Sequence, residues 1–260
     1  MQFTNIHLEK RAPLAIITLD RPKVLNALNR QTLDELDVAF GDLAHDDQVR
    51  VILLTGAGGR AFAAGADINE LAGLSKEEGH ATSLRGQAIL RSIETLGKPV
   101  IACIQGFALG GGCELAMACT LRLAADDARL GQPEVKLGII AGYGGTQRLP
   151  RLIGRGAGLK LLLTGAVIDA QEAFRLGLVD EVVAAASLMQ RAEELALQIA
   201  ANAPLAIKET LLAVNEGLDI PLDLALMREA LRFGHVCGTE DQAEGAAAFL
   251  EKRTPAWKGK

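Results

Sequence analysis

The sequence predicts an α/β protein: a layered core over residues 1–185 and a helical region over 186–260. Three observations carry this. Apolar runs of strand length, at Leu14–Leu19, 49–54, Val100–Ile104 and Leu121–Ala125, alternate with segments of helical spacing, which is the pattern of an α/β layer architecture. Turn and cap residues such as Asp20-Arg21-Pro22 and Thr55-Gly56 close these runs. Beyond about residue 186 strand signals vanish, and 187–201, 204–216, 221–233 and 239–251 read as four helices punctuated by Pro and Gly.

Along the chain, Leu14–Leu19 ends at Asp20-Arg21-Pro22, and a helix follows. Thr32-Leu33-Asp34-Glu35 fits a capping box, and Leu33, Leu36, Phe40 and Leu43 recur at helical spacing. The polar stretch 75–80 reads as a mobile loop. Leu84, Ala88, Arg91 and Thr95 then mark one helix face, Ile89, Ile93 and Leu96 its apolar neighbour, and Lys98-Pro99 the end. Residues 113–118 read as a helix opened by three glycines. Asp169-Ala170-Gln171-Glu172 is a second N-terminal cap, with Gly177 as the C-terminal stop. No fixed-period repeat stands out, and periodicity leaves the strand order open.

Composition narrows the function classes. Of 260 residues, 49% are apolar and only 3% aromatic, so the core must be built mainly from Leu, Ile, Val and Ala. A net charge of −5 lacks the footprint of a nucleic-acid binder, yet leaves room for a local basic patch against a polyanionic ligand. Cys103, Cys113, Cys119 and Cys237 have no C-x-x-C spacing, and three lie in apolar stretches, as expected for reduced thiols in a cytoplasmic protein. The four histidines are scattered, so no metal site is expected. The N-terminus shows no signal-peptide pattern, and no apolar run approaches the roughly 18 residues of a membrane span.

Three segments carry the candidate chemistry. Glu114 follows Gly110-Gly111-Gly112-Cys113, and Glu134 follows Gly131-Gln132-Pro133. Upstream lies Ala61-Phe62-Ala63-Ala64-Gly65-Ala66-Asp67. Two carboxyls can exchange protons, and tight small-residue turns can offer N–H groups to a developing oxyanion. The bland alternatives are close strand-to-helix packing for the glycines, a favourable dipole position for Glu114, and an N-cap for Asp67. Two nearby carboxyls in an apolar site cannot easily both ionise, so one proton is expected to be shared. Gly142-Tyr143-Gly144-Gly145-Thr146-Gln147-Arg148-Leu149 is a further Gly-rich turn, able to cradle an anion or to shape a pocket floor. The triple glycine lacks the spacing of a dinucleotide fingerprint or a Walker A loop.

Together these segments resemble the enoyl-CoA hydratase (crotonase) superfamily nearly end to end. The resemblance runs through Asp20-Arg21-Pro22 with Asn26-Ala27-Leu28, Ala64-Gly65-Ala66-Asp67-Ile68, Lys98-Pro99-Val100-Ile101-Ala102, Gly106 to Glu114, Gly131 to Glu134, Gly144 to Leu149, and Phe249-Leu250-Glu251-Lys252-Arg253. It implies a crotonase (ClpP-like) spiral of ββα units with a C-terminal helical trimerisation region, assembled as a homotrimer or a hexamer. It implies an acyl-CoA thioester as substrate, no separate cofactor, and hydration of a 2-trans-enoyl-CoA to a 3-hydroxyacyl-CoA in acyl-CoA degradation. By that resemblance Glu114 and Glu134 are the catalytic pair, holding one water between them. The N–H groups of Ala66 and Gly111 form the oxyanion hole. Ala64, Asp67, Ile68 and Asn69, together with Phe233, Phe249 and Lys252, contact coenzyme A, in part across a subunit boundary. Arg21 and Lys23 are weaker candidates for the nucleotide phosphates, and 71–84 for a cover over the acyl tail.

Two departures from the family pattern stand out. Relatives often carry Pro-Gly-Ala-Gly-Gly where this chain has Ala141-Gly142-Tyr143-Gly144-Gly145, so Gly142 and Tyr143 are pocket candidates. Asn69 stands where several hydratases have lysine. The competing readings are a double-bond isomerase of the same superfamily, which often keeps one carboxyl where this chain has two, an RNA-binding role, and a noncatalytic CoA-binding subunit.

Overall fold

The computed structural model describes residues 3–260. In chain order the elements are β1 (Ile6–Arg11), β2 (Leu14–Leu19), α1 (Arg30–Ala44), β3 (Val51–Gly56), β4 (Ala61–Ala64), α2 (Ile68–Leu71) and α3 (Lys76–Glu94). There follow β5 (Val100–Ile104), β6 (Phe107–Leu109), α4 (Gly111–Ala118), β7 (Leu121–Ala125), β8 (Arg129–Gly131), α5 (Gly145–Ile153) and α6 (Arg155–Thr164). The chain ends with β9 (Val167–Asp169), α7 (Ala170–Leu176), β10 (Glu181–Val183), α8 (Leu188–Ala200), α9 (Pro204–Gly217), α10 (Leu222–Cys237) and α11 (Glu240–Glu251).

The strands form two sheets, ordered β1-β2-β3-β5-β7-β10 and β4-β6-β8-β9. Successive pairs β3/β4, β5/β6 and β7/β8 each place one strand in each sheet, which is the spiral of ββα units that the resemblance implies. All pairs are parallel except β1–β2 and β8–β9. The central strands of the large sheet are apolar on both faces, as parallel strands covered on both sides require. Ile17, Leu19, Ile52, Leu54, Ala102 and Ile104 face α1, α3 and α4, while Ile16, Val51, Leu53, Ile101 and Leu123 face α8. α8 lays Leu188, Ala192, Ala196 and Ala200 on the sheet, so this first C-terminal helix belongs to the core packing. α9 and α10 bury no residue fully.

Two local expectations are corrected. The cap of α1 is Asn29, whose Oδ1 accepts from Thr32 N–H at 2.9 Å, rather than Thr32 itself. Glu35 instead accepts the backbone N–H groups of Thr4, Asn5 and Ile6 and pins the entry to β1. Residues 75–80 are not a mobile loop. Ser75 Oγ accepts from Glu78 N–H and Glu78 Oε2 accepts from Ser75 N–H, a complete capping box that starts α3. Polarity there comes from two acids in the positive first turn of a helix. The caps at Asp169 and Gly177 stand as expected. Cys103, Cys113 and Cys119 are buried free thiols, and Cys237 is exposed.

Candidate active site

The three candidate segments are the continuations of three neighbouring parallel strands. β4 pairs β6 with Ala64 opposite Leu109, and β6 pairs β8 with Leu109 opposite Gly131. Their carboxyl ends therefore lie side by side. Gly65-Ala66, Gly110-Gly111 and Gln132-Pro133-Glu134 leave the sheet at one edge, where α/β folds gather ligands.

The first two exits bring backbone donors together. A Cβ placed on Gly111 would stand 3.4 Å from Ala66 N, so the two peptide N–H groups are close neighbours. Neither has a hydrogen-bond partner among the described residues. The flanking backbone is tied to Leu28: Leu28 N–H donates to Gly65 O (2.9 Å) and Asp67 N–H to Leu28 O (2.8 Å). Asn26 anchors this loop. Its side chain is 1% exposed, and Nδ2 donates to Ala57 O (3.0 Å) and Ala61 O (2.9 Å) while Oδ1 accepts from Arg21 N–H. The three glycines have three different reasons. Gly110 takes φ +50 beneath the Glu134 carboxyl, Gly111 leaves room beside Ala66, and a Cβ on Gly112 would collide with Ala63 O.

Glu114, in the first turn of α4, is 2% exposed. Its Oε1 accepts from Tyr143 N–H and Gly145 N–H, both at 2.7 Å, at the N-terminus of α5. The anion that the Gly-rich 142–149 turn cradles is thus the protein's own carboxylate. Oε2 has no protein partner among the described residues and is the oxygen open to a reacting molecule. Burial pushes Glu114 up to about 7, and Glu134 pushes the same way, against the Gly145 and Tyr143 N–H groups and Arg148. Burial also raises Glu134. Gln132, 1% exposed, donates from Nε2 to Glu134 Oε1 at 2.8 Å when its amide is oriented to satisfy its neighbours. A Cβ on Gly145 would stand 2.9 Å from the Gln132 amide and 3.0 Å from Glu114 Oε1, so Gln132, which holds Glu134, lies on the same side of Gly145 as Glu114.

The site is thus two carboxyls with protonation ranges raised by burial, beside two neighbouring N–H groups that have no partner among the described residues, a set suited to proton transfer next to a carbonyl. The family model described as "Enoyl-CoA hydratase/isomerase" matches residues 9–260. The chain belongs to this family.

Among relatives, the chain is 48% identical to the short-chain-enoyl-CoA hydratase of Clostridium acetobutylicum, over 97% of both chains. It is equally identical, with the same coverage, to the crotonyl-CoA hydratase of Syntrophomonas wolfei. The crystal structure of an enoyl-CoA hydratase from Bacillus anthracis superposes with a TM-score of 0.95 at 42% identity, covering 99% of this chain and all of that one.

Against this family background, the remaining expected residues divide. Tyr143 is 7% exposed, with its ring beside Gly111 and against Gly86 of α3, so it walls the space next to the paired N–H groups. Burial, then Glu114 and Glu70, push its hydroxyl up to about 12, which keeps it neutral. Asp67 is the N-cap of α2, accepts from Asn69 N–H and pairs with Arg21 (3.1 Å). Arg21 also donates to Ala27 O, so its guanidinium helps hold the loop. Asn69 Nδ2 donates back to Asp67 at 3.0 Å. Ala64 and Ile68 flank the exit of β4, with Ile68 58% exposed, and Lys23 lies exposed beside them with no ion-pair partner among the described residues. Gly142 O accepts from Ser83 Oγ (2.6 Å), tying the 142–149 turn to α3. Phe233, Phe249 and Lys252 sit on α10 and at the end of α11, and the two phenylalanines are 71% and 84% exposed. The positioning roles of Asn26 and Gln132 are not evident from sequence, because nothing in an isolated Asn or Gln announces burial.

A cavity of about 230 Å³ between the ends of α1 and α8 holds none of these residues. Two of the cations lining it, Lys98 and Arg50, donate to helix-end carbonyls at Leu43 and Ala200, which accounts for them structurally.

Proposed function

We propose that Glu114 and Glu134 carry the reaction and that Ala66 and Gly111 stabilise its charge. Enoyl-CoA hydratase activity itself follows from family membership and the identity to two hydratases. In our reading the thioester oxygen of a 2-trans-enoyl-CoA accepts hydrogen bonds from Ala66 N–H and Gly111 N–H. Glu114 takes a proton from water as the water oxygen bonds to C3. Electron density moves through C2 onto the thioester oxygen, and Glu134 returns a proton to C2. Each donor to that oxygen is worth about 3–4 kcal/mol in comparable sites. Positioned acid–base groups add about 10²–10⁴-fold.

The assignment of base and acid is supported by hydrogen bonding. Glu114 receives two backbone N–H groups and lies near Arg148, which oppose the burial that raises it to about 7 and leave it able to ionise near neutral pH. Glu134 is also raised by burial and accepts one side-chain donor, Gln132, where Glu114 accepts two backbone N–H groups. The observation that carries the reading is the presence of two carboxyls raised by burial, Glu114 and Glu134, beside the neighbouring N–H groups of Ala66 and Gly111. A single carboxyl suffices to shuttle a proton in isomerisation, whereas holding and activating a water calls on the second.

Assembly as a homotrimer or dimer of trimers is part of the same proposal. It is supported by Leu218 (81%), Leu231 (75%), Phe249 (84%) and Leu250 (80%), apolar side chains left exposed on or beside helices at the C-terminal end of the chain. Phe233, Phe249 and Lys252 would then reach the coenzyme A of a neighbouring copy. No helix among the described residues is long and apolar enough to cross a membrane. The test is product identity: crotonyl-CoA should give a 3-hydroxyacyl-CoA. Conversion of a 3-enoyl-CoA to its 2-enoyl isomer with no hydration would replace this reading.

A further inference from the structure

We propose that Arg148 is a positioning residue for Glu114, and that its ion pair with Glu94 sets the range over which that carboxyl ionises. This rests on the assignment of Glu114 as the base.

The argument begins with what holds Glu114. Both of its protein hydrogen bonds come from one turn, through Tyr143 N–H and Gly145 N–H. Between them Gly144 takes φ +107, a conformation that gains nothing from side-chain packing and must be fixed from outside. Arg148 fixes it. Its Nη1 donates to Tyr143 O at 2.6 Å, and its backbone N–H donates to Gly144 O at 2.8 Å. Residue 143 is therefore clamped through both backbone groups, its N–H by Glu114 and its C=O by Arg148.

The guanidinium is held in turn. It forks onto Glu94 at the end of α3, with Nη2 3.0 Å from Oε2, and both side chains are largely buried (14% and 19% exposed). Glu94 O accepts from Asn215 Nδ2 of α9 at 2.8 Å, so the helical region steadies the same corner. A bidentate Arg–carboxylate pair away from bulk water fixes direction in a way a lysine cannot. The charged and titratable groups around Glu114 are Glu134 beyond β8, Cys113 on α4, and Tyr143 and Arg148 from the turn and α5, with Glu94 of α3 behind Arg148. Arg148 is the permanent cation nearest Glu114 in this set; Glu94 offsets it and is shared with Arg91 of α3, whose Nη1 lies 3.2 Å from Glu94 Oε2.

The test uses the intact protein and the pH profile of kcat/KM for crotonyl-CoA, with Arg148→Met, Glu94→Gln, Arg148→Lys and Glu114→Gln. Arg148→Met removes the cation, so the acid limb should move to higher pH by about half a unit or more, with the loss in kcat rather than KM. Glu94→Gln leaves the cation unopposed, so its acid limb should move to lower pH. Arg148→Lys keeps the charge but not the fork, so kcat should fall with the limb in place. A purely structural role lowers thermal stability and rate without opposite shifts. If Arg148→Met does not fold, Glu94→Gln and Arg148→Lys still decide. With Glu114→Gln inactive, limbs that stay put or move in the same direction overturn this inference alone. Glu114→Gln at wild-type turnover overturns the assignment of Glu114 and this inference with it.

Discussion

Replacing Glu114 by Gln should destroy activity and stabilise the fold, with a pH dependence whose sign follows from the site. Burial raises this carboxyl from 4.5 to about 7 in the folded protein. A raised acid binds its proton more tightly folded than unfolded, so stability falls as pH rises from the unfolded value through the folded one. At pH 8 ionised Glu114 costs the fold about 3 kcal/mol, and at pH 5 under about 1 kcal/mol. Glutamine keeps an oxygen to accept from Tyr143 and Gly145 N–H, and it does not titrate. Relative to wild type, the variant should therefore gain about 2–3 kcal/mol between pH 5 and pH 8. In a chain of this size that is about 5–10 °C in Tm. The assay is urea unfolding followed by far-UV circular dichroism at both pH values. Parallel stability curves for the two proteins across that range would refute the argument, since a carboxyl that is easily ionised in place gains nothing from neutralisation.

Other consequences are more local. Gly86→Ala should cost about 1–3 kcal/mol, because its Cβ would collide with the Tyr143 ring; Tyr143→Ala in the same chain should recover most of it, read as Tm. Asn26→Ala should cost about 1–3 kcal/mol, chiefly through the buried Ala61 carbonyl left unpaired beside the half-buried Ala57 carbonyl, and should lower kcat by loosening the exit of β4. Gln132→Leu should leave acyl-CoA binding by calorimetry near wild type while turnover drops about tenfold or more, because Glu134 loses the donor that orients it. Unchanged turnover there would remove Gln132 from the account.

The fold was legible where burial is two-sided. β5 appears in the sequence as a continuous apolar run and β7 as an apolar run broken by Arg122, both with their observed limits, and the C-terminal helices as segments between Pro and Gly. The small sheet was not, because β4, β6, β8 and β9 span three or four residues, too few for a period to emerge. β1 carries no apolar run, because it is an edge strand with charged Glu9, Lys10 and Arg11 and only Ile6 buried. Glu114 and Glu134 were legible from their glycine frames, but their convergence is a property of strand register, which no local pattern encodes. The 142–149 turn shows the limit most plainly. Its glycines suggested an anion cradle, and only the packing of α4 against α5 reveals that the anion is Glu114. The Arg21–Asp67 pair is likewise hidden from local sequence, since its members lie 46 residues apart.

The central claim, that the two glutamates form one catalytic pair, is tested most directly by the loss of conjugated enoyl-thioester absorbance from crotonyl-CoA with wild type, Glu114→Gln and Glu134→Gln at matched saturation. The account predicts rapid loss with wild type and a fall of at least about 100-fold in each variant, with butyryl-CoA binding retained in both. Turnover near wild type in either variant would contradict it.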